Sequence, residues 1–197
     1  LKIYGEESGK VISYAATMAH ASQSGLSRLF DTLLEGEGGR LEPLDDLSFY
    51  EEGGVSGLIH GETVLFGTAA FCRKMHVTMP GGLSLKTGAF LAVDGTLIAV
   101  FAVKYTAAEN VDWALHALKR SRITPVLAVR DGSITPALLK RKFGTDARAV
   151  YPTISTRLAL SEKDGEHPYA LLYREGLMPY AEIAVGSKRL VHACLLY

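Results

Sequence analysis

Asp131 is the residue best placed for chemistry, because it closes the apolar stretch Pro125–Val129 and opens the polar turn Asp131-Gly132-Ser133. An acid at the C-terminal end of a parallel strand stands where α/β sheets place their ligands, which makes it the candidate catalytic residue. The competing and stronger reading is the acid of an Asp-Gly turn that caps the next helix with Ser133 or Thr135. Gly53, Gly54 and Gly57 could let a backbone approach a nucleotide, since glycine has no Cβ in the way, or could mark a strand with a bulge. His60 lies beside a turn, His116 on a helix and His167 beside Pro168. None has a second imidazole or carboxylate at ligand spacing, so no metal site is expected. No Gly-x-Ser-x-Gly elbow is present, which removes the serine-hydrolase reading. Cys72 and Cys194 have no metal-ligand spacing and read as reduced thiols of a cytosolic domain. The basic runs Lys119-Arg120-Ser121-Arg122 and Lys140-Arg141-Lys142 read as helix ends whose charge suits the C-terminal dipole.

The elements that must position these residues follow from periodicity. Val11, Tyr14, Ala15 and Met18, then Leu26, Leu29, Phe30 and Leu33, have helical spacing interrupted at Gly25, which predicts a helical pair. Short strands are expected at 47–50, 55–59 and 63–66, the last two joined by a hairpin at Gly61-Glu62. A short helix near 69–75, a Pro80-Gly81-Gly82 loop and a hairpin of strands 89–93 and 96–103 about Asp94-Gly95 complete the N-terminal part. After Lys104 the period changes. A helix is predicted over 106–120, with Thr106 and Glu109 as a capping box, then a strand at 125–129, a helix over 135–143 ending at Gly144, and a strand at 147–151. Strand–helix–strand at this spacing signifies a parallel sheet.

The chain has 197 residues, of which 48% are apolar and 21% charged, as expected of a globular protein. Its 21 basic and 21 acidic residues give zero formal charge, so no net field draws it to nucleic acid or an anionic membrane. Asp94-Gly95 at the centre of the longest apolar stretch favours two strands over a membrane span. The opening residue, Leu1, is what an excised or processed piece would show.

The order of elements, together with three stretches, resembles P-type ATPases of the heavy-metal branch. The first runs from Glu52-Gly53-Gly54-Val55 through His60-Gly61-Glu62 to Phe66-Gly67-Thr68, similar to that family's glycine-rich strand, hairpin and Val-Gly-Asn. The second, Leu91 to Val100 about Asp94-Gly95, resembles the hairpin that returns to the phosphorylation domain. In the third, Ala117-Leu118-Lys119 through Val129-Arg130-Asp131-Gly132 with Thr135 resembles Leu-Lys … Thr-Gly-Asp … Thr-Ala. The resemblance covers roughly 10–152. It implies an α/β fold: an α+β antiparallel-sheet nucleotide-binding-type domain over 1–103, joined to a partial doubly wound, haloacid-dehalogenase-like domain over 104–197. It further implies Ser22, Gly54 and Gly67 as nucleotide-contacting positions, with ATP and Mg²⁺ as cofactors.

Departures from that pattern bear on function. The Asp-Lys-Thr-Gly-Thr whose Asp is phosphorylated is absent from the chain. Ser-Glu-His-Pro maps onto Ser22-Gln23-Ser24-Gly25, with His20 either a substitute for the lost imidazole or a partly buried helix residue. Gly-x-Gly maps onto Glu52-Gly53-Gly54, and Thr-Gly-Asp onto Val129-Arg130-Asp131. Pro-x-x-Lys keeps Pro152 but has Ser155 at the lysine position, removing a charge that steadies phosphoryl groups. Glu162 to Pro168 offers acids without the Mg-binding pattern. Ala181 to Ser187 is similar to the family's late strand, and Leu190–Tyr197 is apolar enough to begin a membrane approach. The implied role is a catalytically degenerate head on the cytoplasmic side of a membrane, carried by a membrane-embedded parent chain, with room for weak ATP binding. Part of an active cation pump whose phosphorylated Asp lies before Leu1, and an interaction scaffold without nucleotide, remain as alternatives.

Overall fold

A computed structural model gives the structure of residues 1–80, 88–162 and 177–195. Two compact units emerge, Leu1–Lys104 with Val129–Ser133, and Tyr105–Ala128 with Ile134–Tyr197. Helices mix with a six-stranded antiparallel sheet, an α/β fold in the broad sense.

The first unit contains β1 (Lys2–Ile3), α1 (Ser8–Ala21), α2 (Ser27–Gly36), β2 (Asp45–Tyr50), β3 (Gly54–Ile59), β4 (Glu62–Gly67), α3 (Ala69–Lys74), β5 (Gly88–Val93) and β6 (Thr96–Ala102). The sheet order is β1-β6-β5-β4-β3-β2. Successive residues of its strands face opposite sides and both sides are covered, so that all 6 residues of β5 are buried. Val64, Phe66, Ala89, Leu91 and Phe101 pack with α1 and α2, while Leu65, Phe90, Ala92 and Val100 pack with Phe71 and Cys72 of α3. Opposite the step from Leu91 to Ala92 the register jumps from Ala99 to Leu97, so Ile98 is an extra residue and joins Ala99 on the α1–α2 face.

Every residue from Val11 to Ala19 is buried, as befits a helix enclosed all round. Its small residues Ala15, Ala16, Thr17 and Ala19 allow that enclosure. Thr17 accepts the Glu42 N–H at 2.9 Å, tying the connection before β2 to the helix. In α2 the buried stripe is Phe30 and Leu34 with Leu26 and Leu33 against it, whereas Leu29, expected on that face, is exposed.

The second unit contains α4 (Val111–Arg120), α5 (Pro136–Phe143), α6 (Ile154–Ser161) and α7 (Leu177–Leu195). Ala114, Leu115, Leu118 and Ala181 form its core, with Leu139, Phe143 and Leu177 alongside. The capping box expected at Thr106 does not form: α4 begins five residues later, after Asn110 with φ 61°. A left-handed residue cannot lie inside a right-handed helix, and Asn tolerates that conformation locally. Parallel pairing is present but brief, a bridge between Val126 and Val150. The strand expected from Ala147 cannot start there because Ala147 (φ 50°) and Arg148 (φ 57°) are left-handed. Their N–H groups donate to Thr145 Oγ1 at 3.1 Å and Asp146 Oδ1 at 2.9 Å, side-chain bonds that compete with a sheet ladder. Ala181 to Ser187, similar in sequence to a strand, is helical within α7, with Pro179 tolerated in the first turn. Among the described residues, no helix is long and apolar enough to cross a membrane.

Candidate functional site

The glycine turn is built by the β2–β3 connection. Gly53 has φ 82°, donates its N–H to the Tyr50 carbonyl at 3.2 Å, and accepts the Thr68 N–H on its own carbonyl at 3.0 Å. Thr68 Oγ1 donates to the Glu52 carbonyl at 2.7 Å and accepts the Phe71 N–H at 3.2 Å. One hydroxyl thus caps α3 and clamps the turn, which fixes the direction in which Phe71 points.

Gly54 and Gly67 face each other across β3 and β4. A Cβ on Gly54 would lie 2.0 Å from Phe71 Cδ1, and one on Gly67 would lie 2.4 Å from the Gly54 Cα. Phe71 is fully buried, with the Tyr50 ring 5.0 Å away between centroids. The room freed by a missing side chain at these two glycines is therefore occupied by the protein's own aromatic ring and backbone. Gly57 sits in regular register opposite Val64, where its missing Cβ makes way for Leu44 Cδ1 at 2.5 Å. A register shift falls instead in the β2–β3 pair, between Asp45 and Ser48 of β2.

Asp131 joins this turn. A Cβ on Gly132 would be 2.1 Å from the Gly53 Cα, so the two glycines meet backbone to backbone. Asp131 is buried, and its Oδ1 accepts the Ser133 N–H at 2.9 Å, the local turn geometry open to an Asp-Gly sequence. Thr135, not Asp131, caps α5 by accepting the Leu138 N–H at 3.2 Å. Ser22 is placed differently, at the C-cap of α1, where its hydroxyl donates to the Ala19 carbonyl at 3.0 Å. Asp131, Gly54 and Gly67 are thus gathered through Gly53, while Ser22 spends its donor within its own helix. Gln23 beside it takes φ 52°, and His20 is exposed rather than partly buried.

Glu52 at the turn pairs with Lys74 of α3, and the Lys74 hydrogen bond holds its carboxyl below the usual range. Cys72, next to Phe71, is buried, and desolvation pushes its thiol up to about 11, which makes it inert as a nucleophile. Ser155, at the position where a lysine is expected, exchanges a hydrogen bond with the Thr153 hydroxyl at 3.2 Å. The acids of 163–168 and His167 lie outside the described residues. Among the described residues, no group of three or more His, Cys, Asp or Glu is placed to hold a metal ion. An approach to Gly53 and Gly54 through their Cβ directions meets Gly132 and the Phe71 ring.

Sequence reasoning missed a second polar group. Tyr14 of α1 donates to Glu62 Oε2 at 2.5 Å, and Lys10 Nζ donates to Glu62 Oε1 at 2.9 Å. The Tyr14 and Lys10 hydrogen bonds lower the Glu62 carboxyl, burial raises the Tyr14 phenol, and Glu62 raises the Lys10 ammonium. His60 Nε2 lies 2.9 Å from Glu42 Oε2, so this imidazole does have a carboxylate partner, from a segment distant in sequence. The i, i+4 spacing of Lys10 and Tyr14 signalled a shared polar edge. Nothing local signalled Glu62.

No protein family matches the chain by sequence, and no curated protein matches it. Among solved structures, the N-domain of HMA8, a copper-transporting P-type ATPase, matches at 15% identity with a TM-score of 0.45, covering 52% of this chain and 94% of that one. The catalytic domain of the CPx-ATPase CopB-B matches at 13% identity and TM-score 0.46, over 78% of this chain and 53% of that one. A zinc-transporting PIB-type ATPase matches at 11% identity and TM-score 0.41, over 78% of this chain and 26% of its own length. The solved structures that this chain resembles are N-domains and catalytic domains of copper- and zinc-transporting P-type ATPases.

Proposed function

We propose that the chain is a catalytically degenerate head of the P-type-ATPase kind, held on the cytoplasmic side of a membrane-embedded parent, whose fold serves as an interaction scaffold. One observation carries the reading: the spaces beside Gly53 and Gly54 are taken by Gly132 and the buried Phe71 ring. The residue replacements agree. Arg130 stands where the family has the glycine of Thr-Gly-Asp, and Ser155 where it has the lysine. A serine hydroxyl carries no charge to offset a transferring phosphoryl group, and electrostatic positioning is nearly all that such catalysis requires of a protein. Asp131 then serves the turn that holds Gly132 against Gly53.

The test is calorimetric titration of the chain with ATP and ADP in the presence of Mg²⁺, at high salt so that attraction of phosphate to exposed basic side chains is screened, paired with thermal unfolding. The expected result is neither saturable heat nor a shift in unfolding temperature at millimolar nucleotide. A ligand present at a hundred times its Kd would add about 2.7 kcal/mol to stability, well within detection. Saturable binding of MgATP or MgADP would overturn the scaffold reading and restore a nucleotide-binding head.

A further inference from the structure

Lys119, Arg120, Arg122 and Arg148 line one cavity of about 420 Å³ in the second unit, with Thr124 beside them, and among the described residues no acid lines it. Two separate segments supply these cations: the end of α4 with the turn after it, and the turn that leads to the Val150 bridge. All four residues are exposed, and among the described residues their side chains form no ion pair or hydrogen bond. Like charges gathered without partners repel one another, so their convergence costs stability unless an anion offsets it.

Helix-dipole stabilisation accounts for part of the cluster only. Lys119 and Arg120 lie in the last turn of α4, but Arg122 lies beyond the C-cap Ser121, and Arg148 is not on a helix. The C-terminal carbonyl groups of a helix would repel an anion. Here Lys188 Nζ donates to the Ser121 carbonyl at 2.6 Å and to the Arg122 carbonyl at 3.0 Å, which neutralises that end of α4. The display is also fixed. Arg122 and Arg148 are left-handed (φ 53° and 57°), and the nearby Asp146 carboxylate engages the Arg148 N–H. Glu182 lines an adjoining groove with Arg120 but forms no ion pair with it.

We propose that this cavity binds a phosphate-bearing polyanion, with the guanidinium groups of Arg122 and Arg148 as the principal donors and Lys119 and Arg120 as supporting charge. Guanidinium forks match phosphate oxygens in pairs, and the cavity has the size of an ordinary small-ligand pocket rather than of a single phosphate. Zero net charge does not oppose this, because a local cluster sets the local field. Every residue that lines the cavity belongs to the second unit, and none of them is part of the turn formed by Gly53, Asp131 and Gly132.

Calorimetric titration of the whole chain with inorganic pyrophosphate at low and at high salt tests the site. Binding should be saturable at low salt and weaken steeply with added salt. Arg122→Gln and Arg148→Gln should each weaken it about fivefold, an exposed charge pair being worth up to roughly that factor. Lys140→Gln, a basic residue of α5 outside the cavity lining, should leave it unchanged. Co-sedimentation with phosphatidylcholine vesicles, with and without phosphatidylserine, identifies the source of the phosphate. Retention abolished by the arginine substitutions assigns a lipid headgroup, whereas pyrophosphate binding without retention assigns a free anion. Either outcome upholds the site. Absence of both kinds of binding overturns it, as does a loss in Lys140→Gln equal to that in the arginine variants.

Discussion

Replacing Gly54 by alanine separates a glycine needed for packing from one needed for a ligand. The new Cβ would lie 2.0, 2.2 and 2.5 Å from three Phe71 ring atoms, where ordinary contacts begin near 3.4 Å. The ring must therefore retreat by more than an ångström, yet it is fully buried and packed against Tyr50. Overpacking of this kind costs about 1–3 kcal/mol, and rigid walls on both sides of the ring favour the upper half of that range. For a unit of this size, about 2 kcal/mol lowers the unfolding temperature by roughly 10 °C. Phe71→Ala alone should cost about 3–5 kcal/mol through its cavity. The double variant should then be less destabilised than the two single losses added, because the methyl group enters the space the ring has left, with a coupling of roughly 1–2 kcal/mol. Urea unfolding followed by far-UV circular dichroism measures all three variants. If Gly54→Ala stays within about 0.5 kcal/mol of the parent, or if the two changes simply add, the packing account of this glycine is wrong.

Tyr14→Phe should cost about 1.5 kcal/mol, the worth of a hydrogen bond to a charged acceptor, read by the same unfolding assay. Because the Glu62 carboxyl is lowered by Tyr14 and Lys10, its contribution is present above the unfolded value and lost as pH falls through the folded one. Glu62→Gln should therefore flatten the stability loss below about pH 4.5 and have its largest cost near neutrality, as unfolding at stepped pH would show. A thiol reagent at pH 8 should modify the exposed Cys194 at once and Cys72 only in denaturant, counted by mass spectrometry on the intact chain. Thr135→Ala should lose about 1 kcal/mol from the α5 cap, seen as faster amide exchange at Leu138.

The elements that sequence made legible are those with a local cause. Asp94-Gly95 takes the turn its types suggest, whereas the hairpin expected at Gly61-Glu62 turns one residue earlier, at His60-Gly61, with Glu62 already paired to Ile59; φ is positive at His60, Gly61, Asp94 and Gly95. Thr135 and Gly144 bracket α5 as expected, Gly144 with φ 69°. The misread elements depend on something non-local or on rival local bonds. Asn110 overrode a plausible capping box at Thr106, and the Thr145 and Asp146 side chains bent Ala147 and Arg148 out of a strand. In α7, Ala181 packs in the core with Leu115 and Leu118, and that contact favours a helix where the family resemblance suggested a strand. Of the candidate site, the meeting of Gly53 with Gly132 was not legible in the sequence, which placed the two glycines in different domains. That Phe71 would fill the space beside Gly54 depended on the Thr68 clamp, which spans segments no local window contains.

The strand order β1-β6-β5-β4-β3-β2 also bears on how the chain reaches its structure. Five strands follow one another as neighbours; β2–β3, β3–β4 and β5–β6 close through short turns, while β4 and β5 are joined by a longer connection that carries α3. β1 is the exception: Lys2 and Ile3 pair with Val100 and Ala99, from the far end of the unit. During synthesis the first strand made must wait for the last, and the edge of β6 stays open until it arrives. Pulse-labelled hydrogen exchange during refolding should accordingly find the Tyr4 N–H, which donates to the Ile98 carbonyl at 2.8 Å, protected after those of β3 and β4. Simultaneous protection would mean that the edge strand belongs to the nucleus, and that β1 guides assembly of the sheet instead of sealing it.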